Sequence, residues 1–204
     1  MTAPFRVLTT SVQTVEGQFR IRADQAVEDP WRRIIDAITE FRHGALMVMT
    51  GATYGPVEVA IEEYRARPET LDVEWDVITE RDFTSLPVTN PAPGGPLGSA
   101  VRIGNINDSQ PETILTERVG LLRMRFHARD RDRARRLGDL TEIVERYLIQ
   151  VWPATRADTP MHVLGTDSVM EKRIGGGTMK NLDNPNGPPF PGNNLIPRLN
   201  FPDH

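Results

Sequence analysis

Histidine is the side chain best suited to move protons near neutral pH, and the chain has four: His43, His127, His162 and His204. The run His127-Ala128-Arg129-Asp130-Arg131-Asp132 sets carboxylates close to an imidazole, where they could orient it or help it hold a metal. A metal would need about two or three further ligands at suitable spacing, and none of the strong patterns is present. The simpler expectation is a histidine on the solvated face of a strand, near the end of its hairpin. Serine chemistry needs a base and an oxyanion hole. The nearest approach to a nucleophile elbow, Gly98-Ser99-Ala100, fails at its flanks. Gly175-Gly176-Gly177-Thr178-Met179-Lys180 lacks the spacing of a phosphate-binding loop and reads as a turn. The chain has no cysteine, which excludes thiol nucleophiles, disulfides and zinc–thiolate sites. No catalytic residue, metal or cofactor is expected.

Charged side chains offer more. Glu58, Glu62 and Glu63 share one expected strand, and Asp72, Glu74 and Asp76 share the next. If those strands pair as a hairpin, their polar faces merge into an acidic patch carried by Glu58, Glu62, Glu74 and Asp76. A carboxylate pair for glycoside cleavage would also need a cleft to set its separation, and Arg65 and Arg67 stand near enough to neutralise the patch. A solvated strand face and a surface for a basic protein partner are the readings that remain. The opposite cluster comprises Arg123, Arg125, Arg129, Arg131, Arg133, Arg135 and Arg136, interrupted by Asp130 and Asp132. With few aromatic residues to stack on bases, it reads as a basic face paired inside the molecule or against an acidic partner. Of the 24 basic residues only Lys172 and Lys180 are lysines. A GC-rich coding preference explains that bias as simply as a demand for guanidinium groups.

Mostly strands must position these residues. Val57, Val59 and Ile61 alternate with Glu58, Ala60 and Glu62; Val73, Trp75 and Val77 alternate with Glu74 and Asp76. Leu122, Met124, Phe126 and Ala128 alternate with Arg123, Arg125 and His127. A period of two with one wet face is the signature of a half-buried strand. Apolar runs at 5–8, 19–21, 45–49, 114–115 and 147–152 bring the total to seven or eight strands, an antiparallel β-sandwich. One segment follows a helical period instead: Trp31, Ile34, Ile35, Ile38 and Phe41, behind Asp29 as N-cap and Pro30 at the first helical position. It predicts a short helix over about 30–41. A second helical turn near 131–137 is cut short by Gly138.

Length and composition set the frame. The 204 residues are 38% hydrophobic and 25% charged, enough for one domain over 1–154. Residues 155–204 hold 7 of the 17 prolines and 6 of the 16 glycines, a composition that cannot sustain a ladder of hydrogen bonds. That segment is expected to be an extended tail, and 87–98 a long loop. The net charge of −4 argues against nucleic acid and anionic membranes as partners. The first twelve residues lack the pattern of a signal peptide, and no stretch approaches the roughly 18 apolar residues of a membrane span. A soluble, cytoplasmic protein is the expectation.

Two strings carry a resemblance. Leu122-Arg123-Met124-Arg125-Phe126-His127-Ala128-Arg129-Asp130-Arg131-Asp132 is followed by Val144-Glu145-Arg146-Tyr147-Leu148-Ile149-Gln150-Val151-Trp152-Pro153-Ala154. Together they resemble the C-terminal signature of a group of small actinobacterial proteins similar to the competence protein J nuclease-inhibitor family. Gly55-Pro56-Val57-Glu58-Val59 and Trp75-Asp76 suit the middle of that pattern. The chain departs from it at Asp130, where that pattern carries Gly and the change implies a different loop after the strand, in an insertion over 87–111 and in the tail. The resemblance implies a β-sandwich that binds another protein, as an immunity factor or inhibitor of a toxin or nuclease, without an active site. Phe190, Leu195 and Ile196 in the tail would then plug a groove of the partner. The alternative is a structural subunit of a phage or secretion particle, with the tail as a linking arm.

Overall fold

Alternating side chains build most of the elements. The computed structural model describes residues 3–24, 36–42, 44–69, 74–86, 100–157 and 161–175. Along these run β1 (Arg6–Thr14), β2 (Gln18–Ala23), β3 (Thr39–Arg42), β4 (Ala45–Met49), β5 (Gly55–Glu63), β6 (Val77–Ser85), β7 (Val101–Gly104), β8 (Thr113–Thr116) and β9 (Gly120–Arg129). After these come α1 (Arg131–Leu137), β10 (Arg146–Pro153), β11 (Met161–Leu164) and α2 (Ser168–Gly175). The strands form two sheets, ordered β1-β5-β10-β9-β6-β11 and β3-β4-β2-β7-β8. Every pair is antiparallel except β5 with β10. The fold is mainly β, a sandwich of two packed sheets, as the alternation predicts.

The core lies between the sheets. Val57, Val59 and Ile61 of β5, Met124 and Phe126 of β9, and Tyr147, Ile149 and Val151 of β10 join Phe19, Ile21, Leu46, Val48 and Ile103 of the second sheet in one buried cluster. Arg6 ties the edges of the two sheets together. Its guanidinium bridges Glu63 on β5 and donates to the carbonyls of Leu115 and Ile114 on β8 at 2.7 and 3.1 Å. Such a fork satisfies edge carbonyls that would otherwise depend on water.

Four expectations change. The helix over 30–41 does not extend through its second half: residues 39–42 are β3, paired with β4, while 30–35 lie outside the described residues. The Asp36 carboxylate accepts from the backbone N–H of Ile38 at 2.8 Å and from that of Thr39, folding the chain into a turn just before the strand. A side chain that caps its own backbone competes with a helix. The strand expected over 73–77 begins only at Val77 and runs on to Ser85 through Glu80, Arg81 and Asp82. The segment expected to be a tail carries β11, which pairs with β6, and α2, whose Met170 reaches the core, so the folded part crosses the boundary placed after Ala154. Finally, Asp130 adopts the left-handed conformation itself, with φ 64°. Asp tolerates that region better than most side chains, so replacing Gly of the resembling pattern does not by itself demand a different loop.

Close backbone approach makes Gly51 obligatory. A Cβ on Gly51 would lie 1.9 Å from the Arg131 carbonyl oxygen, and backbone cannot step aside cheaply. Gly51→Ala is expected to cost at least about 2 kcal/mol, read as a fall in the urea midpoint at constant slope. Gly44→Ala, where φ is 76° and no atom lies within 4 Å, should lose only about 1 kcal/mol. Equal losses at the two sites would contradict the packing of the loop at 51 against α1.

Candidate functional site

Strand register gathers the polar residues on the outer face of the larger sheet. Glu62 pairs with Gln150, Gln150 with Arg125, and Arg125 with Glu80, so four strands present one continuous polar row. Arg125 donates from Nε to Glu80 at 2.7 Å and from Nη1 to Gln150 at 3.2 Å. Gln150 Nε2 donates onward to Glu62 at 2.9 Å. One step along the strands Asp82 faces Arg123, whose Nη1 donates to it at 2.9 Å. Arg67 completes the set by donating to both Glu80 oxygens, at 3.1 and 3.2 Å. Tyr64, beside Glu62, has its hydroxyl pushed up to about 12, chiefly by burial and then by that carboxylate.

At the end of this row a shallow cleft of about 520 Å³ opens between the chain leaving β5 and the chain leaving β10. Arg65, Arg67, Arg123 and Arg156 line it with Glu80, Asp82 and Trp152. Arg125 lies over the Trp152 ring, its guanidinium carbon 5.3 Å from the centroid, a stacking that holds both side chains.

A second polar cluster lies at the other end of β10. Glu145, fully buried, accepts from the backbone N–H of Gly51 at 3.0 Å and of Ala52 at 3.1 Å, and it touches the Tyr147 hydroxyl. That hydroxyl also lies 3.0 Å from the Met49 carbonyl. Tyr147 has one proton for two acceptors, whereas a neutral Glu145 donates to Tyr147 and leaves Tyr147 free to donate to Met49. Burial holds the Glu145 carboxyl above its ordinary value of 4.5, which favours the neutral arrangement. Close by, the buried Arg131 forks onto Asp167 at 2.6 and 2.7 Å and donates to the carbonyls of Ala37 and Met49.

The residues singled out from sequence fall in different places. Glu58 and Glu62 share the outer face of β5, where Arg146 lies 3.3 Å from Glu58. Glu74 and Asp76 stand just before β6, and two strands, β10 and β9, separate β6 from β5. The hairpin that would have merged the acidic faces does not form. Asp76 instead accepts from the Asp130 N–H at 2.8 Å. His127 is not on a solvated face: it is fully buried, edge-on to Trp75 with ring centroids 5.6 Å apart. Arg123 and Arg125 are buried too, paired inside the molecule. Phe190, Leu195 and Ile196 lie outside the described residues. Sequence reasoning missed Glu80, Asp82 and Glu145, since nothing local marks a carboxylate whose partner is set by strand order. Among the described residues no cluster of three or more His, Asp or Glu is arranged to hold a metal ion, and no helix is long and apolar enough to cross a membrane.

The raised Glu145 titration makes a signed prediction. In the unfolded chain this carboxyl ionises near 4.5, while in the folded chain it keeps its proton to higher pH. The folded state then binds more protons across that interval, so its contribution to stability falls as pH rises through it. Glu145→Gln mimics the neutral acid and should flatten this part of the stability–pH curve measured by urea unfolding. A variant as pH-dependent as the parent would show that Glu145 is ionised in the fold.

The chain matches no protein-family model, no curated protein and no solved structure.

Proposed function

We propose that the chain is a non-enzymatic protein-binding module, immunity- or inhibitor-like, that blocks a toxin or nuclease in the cytoplasm by covering part of its surface. The observation that carries this reading is the outermost strand β1. Among the described residues it pairs on one side only, with β5, and leaves a nine-residue edge. Phe5 and Val7 are 47% and 62% exposed there, and Val119 is 51% exposed beside Arg118, whose guanidinium carbon lies 4.8 Å from the Phe5 ring centroid. The outward positions Val7, Thr9, Ser11 and Gln13 carry no charge. Edges that are not meant to be paired usually bear Lys, Pro or a bulge. An open edge flanked by exposed apolar groups suits the addition of a partner's strand.

The expected acidic contacts support the same surface in part. Glu62 lies opposite Val7 and Glu58 opposite Ser11, so both flank the open edge and would favour a basic partner. The buried acids of the two polar clusters are bound by arginines or backbone N–H groups, which suits a scaffold that works through its outside. The likeness to competence protein J in the strings around β9 and β10 points to a nuclease as the target.

A bait experiment tests the reading. Full-length protein immobilised on a resin should deplete nuclease activity from a lysate of the source cells, with the activity regained on elution. The Val7→Lys/Thr9→Lys bait, charged at exposed edge positions, should retain at least about tenfold less. No depletion, or equal depletion by both baits, would overturn it. Light scattering that finds the full chain alone in large particles would replace it with the assembly-subunit alternative.

A further inference from the structure

Among the described residues, the cleft beside Trp152 is lined by more guanidinium groups than carboxylates. Its floor holds Glu80 and Asp82, 1% and 5% exposed, and three arginines share them: Arg67 and Arg125 on Glu80, and Arg123 on both. Of these, Arg67 and Arg123 line the cleft beside the two carboxylates. The rim adds Arg65 and Arg156, both exposed, and neither has a carboxylate within ion-pair distance among the described residues. Arg65 has only the Phe5 ring, 6.0 Å from its guanidinium carbon. Four arginines, Arg65, Arg67, Arg123 and Arg156, thus line one opening with two carboxylates, in a chain whose net charge is −4. Like charges gathered against the overall sign of a molecule cost free energy unless something anionic neutralises them.

Geometry narrows the ligand. The guanidinium fork matches the two oxygens of a carboxylate or phosphate. Trp152 is 4% exposed and already stacked on Arg125, so the cleft offers no free aromatic face for a base or other flat ring. A volume of about 520 Å³ holds a small molecule or a single side-chain group. We propose that this cleft binds a small polyanion through phosphate or carboxylate oxygens, with Arg65 and Arg156 closing on it from the rim and Arg123 and Arg67 fixed below by Glu80 and Asp82.

Calorimetric titration of the full chain at low, constant ionic strength tests this with two probes, inorganic pyrophosphate and citrate. Saturable one-to-one binding of at least one is expected. Tighter pyrophosphate would assign a phosphate-bearing ligand, and tighter citrate a polycarboxylate. Arg65→Ala/Arg156→Ala should weaken the bound probe at least about tenfold, the scale of losing two charge-assisted contacts. The thermal midpoint should stay within a few degrees, because both side chains are exposed and make no ion pair. Arg133→Ala/Arg136→Ala on α1 removes the same charge away from the cleft and should change affinity less than about twofold. No saturable binding of either probe, or equal weakening by both double variants, would overturn the proposal. It stands apart from the protein-binding reading: Val7→Lys/Thr9→Lys should leave probe binding unchanged, so either can fail alone.

Discussion

Glu80 is the carboxylate on which the larger sheet turns. Strand β9 is buried on both faces from Leu122 to Ala128, yet one of those faces carries Arg123, Arg125 and His127. A buried guanidinium without a partner is not tolerable, so β6 must set Glu80 opposite Arg125 and Asp82 opposite Arg123. Such pairs return little net stability, because desolvation offsets most of the attraction. What they return is register. A slip of one residue would push both arginines into the core; a slip of two would either set Arg125 against Asp82 and leave Arg123 facing Thr84, or set Arg123 against Glu80 and leave Arg125 facing Ile78. Apolar alternation excludes only the first error; the charges exclude the second.

At the opposite end of the sandwich another buried arginine has an architectural role. Arg131 is the first residue of α1, and its fork reaches Asp167 just before α2 while donating to carbonyls of the 36–39 turn and of β4. Asp132 extends the link by accepting from the backbone N–H of Ser168 at 2.8 Å, and the Ser168 contacts hold its carboxyl below the ordinary range. α2 is therefore docked by hydrogen bonds from α1 as well as by the buried Val169 and Met170. The same corner needs Gly51, since α1's backbone lies where a side chain would go. A short arginine-rich helix, unremarkable by propensity, thus joins three separate segments.

What could be read from the sequence follows from the range of the signals. Strands β5, β9 and β10 announce themselves by alternation because their inner faces meet a single apolar core. β6 does not: Thr79, Arg81 and Ser85 occupy positions facing the core side and the outer face carries Glu80 and Asp82, so no apolar period marks it. Ile38 and Phe41 keep the helical interval although a turn buries the first and a strand the second, two burials of separate origin. The arginines were visible as a cluster, but whether they face water depends on which carboxylates cross the sheet to meet them. That is a property of strand order, which places β10 and β9 between β5 and β6. The cleft was illegible for the same reason, since Arg65 and Arg156 are 91 residues apart in sequence.

The outer face also has a direction along its open edge. The pairing of β1 with β5 sets Ser11 beside Glu58 at one end and Arg6 beside Glu63 at the other. Beyond that second end come Phe5, Arg118 and then Arg65 at the rim of the cleft. A strand added to β1 would therefore meet Glu58, already held by Arg146, near Ser11, and Glu62 with the Arg118 and Arg65 guanidinium groups toward Phe5. Backbone hydrogen bonds alone would accept the strand in either sense, since parallel and antiparallel pairing differ only slightly per residue. The exposed apolar group, by contrast, lies at one end only, with Phe5, Val7 and Val119, so a partner strand whose apolar residues match that end in one alignment misses them in the reverse.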